Sequence, residues 1–172
     1  MSTLVVFDST FGNTEVVARA IAEVLATASP VRTLRVDTLE PWHLEEIDLL
    51  VVGAPTRSGR PSPAVRGWLA GLPPGRLLDV EVAAFDTRSD PSRARLPFAR
   101  LLARWLGPAS TKLERALVGL GGAVAAPAEG FVLEAVTGPL REGETDRARA
   151  WARALKERSS PRSLSLPPGK RR

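Results

Sequence analysis

Short apolar runs alternate with amphipathic stretches along most of the chain. Leu4-Val5-Val6-Phe7 is uninterrupted, Val31 to Val36 alternates, Ile47-Asp48-Leu49-Leu50-Val51-Val52 is nearly continuous and closes at Gly53, and Val80 to Phe85 is apolar again. Runs of this length and character are what strands buried on both faces of a parallel sheet require. Between them the period lengthens. Val16, Val17, Ala20, Ile21, Val24 and Leu25 predict a helix capped at Asn13 or Thr14 and running to about Ala28. Ala64 to Leu72 predicts a second, stopped by Pro73-Pro74-Gly75. Phe98 to Leu120 predicts helix in two pieces, broken at Gly107-Pro108 and closed by Gly121-Gly122. The last helix is expected from about Glu142 to Arg158, with Ala148, Trp151, Ala152 and Leu155 on one face. Ala123 to Ala126 reads as a weak fifth strand, with Phe131 to Val136 as its continuation or as a short excursion. Ala54 to Pro63 and Asp86 to about Leu96 read as loops.

Strands alternating with helices define the α/β class, and right-handed crossovers wind five of them into a three-layer sandwich. Ligands of such sheets sit at the carboxyl ends of neighbouring strands where the winding reverses, so the loops after strands one, three and four are the ones to inspect.

The chain has 172 residues, 44% of them apolar, enough for one domain with a substantial core. The expected division is a domain over 1–158 and a basic tail over 159–172 without apolar periodicity. The formal charge of +5 suggests nucleic acid until it is located: four of the 24 cations (Arg162, Lys170, Arg171, Arg172) lie in that tail, leaving 20 basic against 19 acidic groups before it. A nearly neutral domain gives no electrostatic footprint for nucleic acid. With no cysteine, thiolate chemistry and disulfides are excluded, which suits a cytoplasmic setting. Neither an export signal nor a membrane span is expected.

The first of these loops is Asp8-Ser9-Thr10-Phe11-Gly12-Asn13-Thr14-Glu15. Unpaired amides at a helix amino terminus accept a phosphate dianion without help from lysine; Ser9, Thr10 and Thr14 add hydroxyls, and Gly12 admits close approach. No lysine follows the glycine as in a nucleoside-triphosphate loop, and the GxGxxG spacing of dinucleotide sites is missing. Turn and cap duties for Asp8, Ser9 and Asn13 are the competing reading.

Ser9-x-x-Gly12-x-Thr14 resembles the phosphate loop of flavodoxins, and Gly53-Ala54-Pro55-Thr56-Arg57-Ser58-Gly59 is similar to the Pro-Thr-Arg-x-Gly stretch of flavodoxin-like NAD(P)H:quinone oxidoreductases. Phe85-Asp86-Thr87-Arg88-Ser89-Asp90 falls where flavodoxins place the other flank of the flavin. The resemblance spans roughly residues 3 to 158. It implies a five-stranded parallel sheet in the order 2-1-3-4-5 and flavin mononucleotide (FMN) as cofactor. Carried over residue by residue, it assigns the FMN site to Ser9, Thr10, Phe11, Gly12, Asn13 and Thr14, to Pro55, Thr56, Arg57, Ser58 and Gly59, and to Asp86, Thr87 and Arg88. In flavodoxins a glycine peptide of the second loop offers its carbonyl to the protonated flavin; Gly59 stands at that place, although loop glycines also serve simply as turn residues.

Two departures bear on affinity. Phe11 stands where flavodoxins typically have Thr, although related oxidases and quinone reductases tolerate an aromatic there. Flavodoxins that carry electrons sandwich the flavin between Trp and Tyr, whereas this chain has no tyrosine, Trp68, Trp105 and Trp151 fall on helices, and Trp42 precedes strand three. Losing two aromatic platforms at about 1–3 kcal/mol each weakens binding by roughly thirty-fold or more, towards the micromolar range.

A third departure is electrostatic. Arg57, Arg60 and Arg88 stand where flavodoxins carry acids, favouring an anionic hydroquinone and so a higher potential. Solvated surface is the competing reading for them. His43, the sole histidine, reads as a surface or helix-cap residue.

The expected function is an FMN-dependent oxidoreductase or electron-transfer module using NAD(P)H and a quinone-like acceptor, with no catalytic side chain required. The alternative is a flavodoxin-like domain that has lost the flavin and acts in protein interaction or regulation. The sequence leaves the oligomeric state open.

Overall fold

The computed structural model describes residues 2–90 and 108–159. The strands are β1 (Thr3–Phe7), β2 (Val31–Arg35), β3 (Leu49–Pro55), β4 (Glu81–Ser89), β5 (Ala123–Val124) and β6 (Glu129–Leu133). The helices are α1 (Asn13–Leu25), α2 (Pro63–Gly71), α3 (Ala109–Gly119) and α4 (Glu144–Ser159). Short 3-10 turns at Val36–Thr38 and Pro41–Leu44 lead from β2 towards β3. The expected first piece of the helix after strand four, the later part of the loop before it, Trp105 and nearly all of the basic tail lie outside the described residues.

The sheet is parallel throughout, in the order β2-β1-β3-β4-β5, and β6 pairs with the same edge of β4 as β5 does. β5 pairs with Glu81 and Val82, and β6 with Phe85 to Ser89, so the second apolar segment continues the fifth strand after a break. The uninterrupted runs in β1 and β3 face two cores at once. Val5, Phe7, Leu49, Val51, Ala83 and Phe85 pack beneath α1 and α4, whereas Leu4, Val6, Leu50, Val52, Val82 and Ala84 pack beneath α2 and α3. This alternation between two buried faces is the three-layer sandwich.

Three boundaries differ from expectation. β4 runs to Ser89, so Asp86 and Thr87 are buried strand residues instead of loop. Polar character misleads here because both side chains find buried partners: Asp86 takes the Thr56 hydroxyl at 2.8 Å, and Thr87 pairs its hydroxyl with that of Thr14 at 2.8 Å. β3 likewise continues to Pro55. Finally, α1 is capped by Gly12, at φ +84°, and neither Asn13 nor Thr14 caps it. The glycine signal at the end of α3 is borne out: Gly121, at φ +100°, follows Leu120, and the Gly122 amide reaches back to the Leu117 carbonyl at 3.1 Å. His43 is a capping residue, its Nδ1 accepting the Glu40 amide at 2.9 Å.

One packing detail ties the sheet together beside the carboxyl edge. Gly53 of β3 lies in register with Phe85 of β4, and a Cβ on Gly53 would fall 2.0 Å from the Phe85 ring. The aromatic lies over a residue without a side chain and meets Phe131 and Trp151 edge-on, at centroid distances of 6.0 and 6.3 Å. Gly53→Ala is therefore expected to destabilise the fold by about 1–3 kcal/mol through overpacking, read as a lowered midpoint in chemical denaturation. An unchanged midpoint would show that the ring moves aside freely.

Candidate cofactor site

The chain leaves β1, crosses through α1 to the outer strand β2, and returns past β1 to β3, so the winding reverses between β1 and β3. Phe7 and Gly53 are in register there, and the Asp8 amide still bonds the Gly53 carbonyl at 3.1 Å. The loops after β1 and β3 consequently leave the sheet side by side.

In the first loop, Gly12 in its left-handed conformation turns the chain into α1. With a glycine at the cap no side chain there can accept the first amides, and the polar side chains that follow are engaged elsewhere. The Asn13 side-chain Nδ2 donates to the Thr137 carbonyl at 2.9 Å, and the Thr14 hydroxyl is buried against Thr87. Ser9 Oγ accepts only the Glu15 amide, at a long 3.4 Å. Among the described residues no hydrogen-bond partner is found for the amides of Ser9, Thr10, Phe11, Gly12, Asn13 or Thr14. A cluster of free donors at the positive end of a 13-residue helix is a receptor for an anion. Ser9 and Thr10 keep hydroxyls close to it, whereas Thr14 offers its amide alone. Phe11 is 58% exposed and supplies no polar side-chain group.

The second loop is a tight hairpin. Arg57 and Arg60 exchange both backbone hydrogen bonds, at 2.8 and 3.0 Å, across Ser58 (φ +48°) and Gly59 (φ +71°). Two successive positive φ values make a primed turn, which Ser-Gly tolerates. From this hairpin the Arg57 guanidinium reaches back to the Thr10 hydroxyl, donating at 2.7 Å. Lys112 Nζ, on α3, donates to the Gly59 carbonyl at 2.6 Å. The Thr56 amide continues the sheet ladder onto the Thr87 carbonyl at 2.8 Å, which leaves Pro55 at the edge.

The third segment backs the site as part of the strand. Asp86, fully buried, accepts the Thr56 hydroxyl and, at 3.0 Å, the Ser110 amide at the start of α3. Arg88 folds inward across Gly130, bringing its Nε to 3.5 Å from Asp86 Oδ1, within ion-pair range but without a hydrogen bond to that oxygen. Burial pushes the Asp86 carboxyl above the ordinary carboxylate range, against the opposing pull of Arg88, the Thr56 hydroxyl and the Ser110 and Ala109 amides. Of the three arginines expected on the rim, Arg88 is thus turned towards a buried acid.

The residues of the three loops that the sequence singles out do converge on one edge, with Asp86 and Thr87 beneath it. Sequence reasoning missed Lys112, Ser110 and Arg35, the last of which donates to the Ser9 carbonyl at 3.2 Å. A lysine in the first turn of a helix runs against the macrodipole, and that was the available signal for Lys112. Ser110 and Arg35 contribute through backbone contacts that no pattern announces. Among the described residues no group of three His, Asp or Glu could hold a metal ion, and no helix is long and apolar enough to cross a membrane.

The doubly wound parallel sheet, with free amides at its switch point, defines an open-sheet α/β protein whose ligand position is this edge. The flavodoxin family model matches residues 5–151, and the chain belongs to the flavodoxin family. Members of that family bind FMN as cofactor. Its structural neighbours include oxidised flavodoxin 1 from Bacillus cereus (20% identity, TM-score 0.70, covering 91% of this chain and 98% of that one). A flavodoxin from the domain Archaea is similar at 19% identity (TM-score 0.68, 92% and 99% covered). So is the flavodoxin, WrbA-like protein from Agrobacterium tumefaciens, at 20% identity (TM-score 0.67, 92% and 96% covered). No curated protein matches by sequence. The residues present fit FMN: the free amides suit its phosphate, and no heavy atom outside its chain neighbours comes within 4 Å of a Cβ built on Gly12, which leaves room for close approach.

The raised pKa of Asp86 has a measurable sign. The native state holds this proton more tightly than the unfolded chain, so the Asp86 contribution to stability falls as pH rises from its ordinary value of 3.8 through the raised native value. Urea denaturation of Asp86→Asn between about pH 4 and 8 is expected to show a shallower loss with rising pH than the parent, with the variant gaining relative stability towards neutrality. A deficit that is the same at every pH would show that Asp86 is ionised throughout.

Proposed function

We propose that this FMN-binding electron-transfer protein is an oxidoreductase module that takes hydride from NAD(P)H and passes electrons to a quinone-like acceptor. The observation carrying the reading is the set of unpartnered amides from Ser9 to Thr14 at the sheet's switch point, joined by unmatched positive charge on the neighbouring hairpin. When bound, FMN supplies the redox chemistry itself, accepting a hydride and releasing electrons one or two at a time. The amides of Ser9, Thr10, Phe11, Gly12, Asn13 and Thr14, with the Ser9 and Thr10 hydroxyls, would hold the phosphate. Pro55, Thr56, Ser58 and Gly59 would border the ring, with Arg57 reaching from the same hairpin to the first loop, while Asp86, Thr87 and Arg88 fix the floor that positions Thr56 and α3. In this reading the flavin unit is residues 1–158, residues 159–172 lie outside it, and the setting is cytoplasmic.

Charge supports the choice of acceptor. Arg60 and Lys112 stand on or against the hairpin, and neither has a carboxylate partner within ion-pair range among the described residues. Cations beside a flavin stabilise its anionic reduced form and raise the potential, which suits reduction of a quinone better than supply of low-potential electrons.

Titrating the protein with FMN, followed by flavin fluorescence quenching, is expected to give saturable binding in the micromolar range. Potentiometry of the complex should then place the hydroquinone couple above that of an acidic flavodoxin. A couple as low as theirs would remove the quinone reading while leaving the flavin intact, and no binding at all would favour a fold that has given up its cofactor for protein interaction.

A further inference from the structure

Arg57 reaches the loop of free amides at the Thr10 hydroxyl, as Arg35 reaches it at the Ser9 carbonyl. Arg35 is paired with Asp37 and Asp8, Arg88 with Asp86, Arg141 with Asp90, and Arg147 with Glu144 and Glu129. Arg57 has no carboxylate partner among the described residues; its guanidinium donates instead to a neutral hydroxyl, Thr10 Oγ1, 47 positions away and inside the first loop. Its root is fixed. The flanking hydrogen bonds to Arg60, the Lys112 ammonium on the Gly59 carbonyl and the Thr56 hydroxyl on Asp86 all hold the hairpin against the sheet. One N–H directed at Thr10 leaves the remaining donors of a planar fork without a partner among the described residues, beside a helix end that already attracts negative charge.

We infer that Arg57 is the phosphate-pairing side chain of this site, so that the chain discriminates FMN from its uncharged parent riboflavin by a formal charge in addition to main-chain amides. This deepens the FMN reading and rests on it. The hydroxyl missing at Phe11 strengthens the case, since the loop has lost a neutral donor and the hairpin supplies a charged one. Hydrogen bonds between charged partners are the strong ones, and retaining Thr10 as a second partner keeps the fork oriented before the ligand arrives.

The test compares two flavins on three proteins. Parent, Arg57→Gln and Arg57→Lys are titrated with FMN and with riboflavin, by fluorescence quenching, at low and at high salt. Arg57→Gln is expected to lose about ten- to a hundredfold in FMN affinity while riboflavin affinity stays within about twofold. Arg57→Lys is expected to recover part of the loss because it restores charge without the fork. The parent's preference for FMN should shrink with salt, and the Gln variant's residual preference should shrink less. Equal losses for both flavins, or no loss for either, would overturn the role of Arg57 and leave FMN binding standing. A parent protein that takes up neither flavin would instead overturn the FMN reading and this inference with it.

Discussion

The structure turns on a helix end that the protein declines to satisfy. The first four amides of any helix lack intrahelical acceptors, and the side chain of the residue just before the helix normally accepts one of them. In this chain the cap position is Gly12, which has no side chain, and the polar side chains that follow look away: Asn13 to the loop beyond β6, Thr14 into the sheet at Thr87. Gly12, free to adopt a left-handed conformation, lets the chain enter α1 without a capping side chain. The cost of open amides is tolerable only because they face solvent or a ligand, and the same diversion knits α1 to β4 and to the segment beyond β6. Site and scaffold are therefore made by one set of side-chain choices.

Much of the scaffold was legible because its strands are buried on both faces. An apolar run such as Leu4 to Phe7 has no competing explanation at that length, and the alternation of such runs with helical spacing decides a wound parallel sheet almost alone. Handedness limits the ways of winding it, and the resemblance to flavodoxins supplies the strand order. What misled was polarity inside a strand: Asp86-Thr87-Arg88-Ser89 reads as loop by composition, yet its first two side chains are buried because Thr14, Thr56 and Ser110 come from distant parts of the sequence to meet them. Long-range satisfaction of a buried polar group leaves no local mark.

The site was legible at the level of loops and less so at the level of atoms. Which loops matter follows from the switch-point rule, but the direction of a side chain does not. Of three arginines read as one rim, Arg57 points to the loop after β1, Arg88 folds under to a buried acid, and Arg60 is exposed on the hairpin. Lys112 arrives from a helix that the loop-centred reading left aside. The electrostatic character of the rim therefore differs from a simple count of basic residues in the three loops: one arginine is neutralised and one lysine is added.

The break between β5 and β6 carries a consequence for how the molecule breathes. The outer edge of the sheet is two short ladders, and the bridge between them is made partly by helices. The Glu114 carboxylate of α3 accepts the Ala128 amide at 2.8 Å, and the Trp151 indole of α4 donates to the Pro127 carbonyl at 3.1 Å. Opening of the exposed pair Ala123–Val124 can stop at that junction, because β6 keeps its own pairing with Phe85 to Ser89 and its Val132 amide is held by Glu144 at 2.7 Å. The two halves of the edge strand are thereby held by separate sets of contacts, β5 by Glu81 and Val82 and β6 by Phe85 to Ser89 together with Glu144.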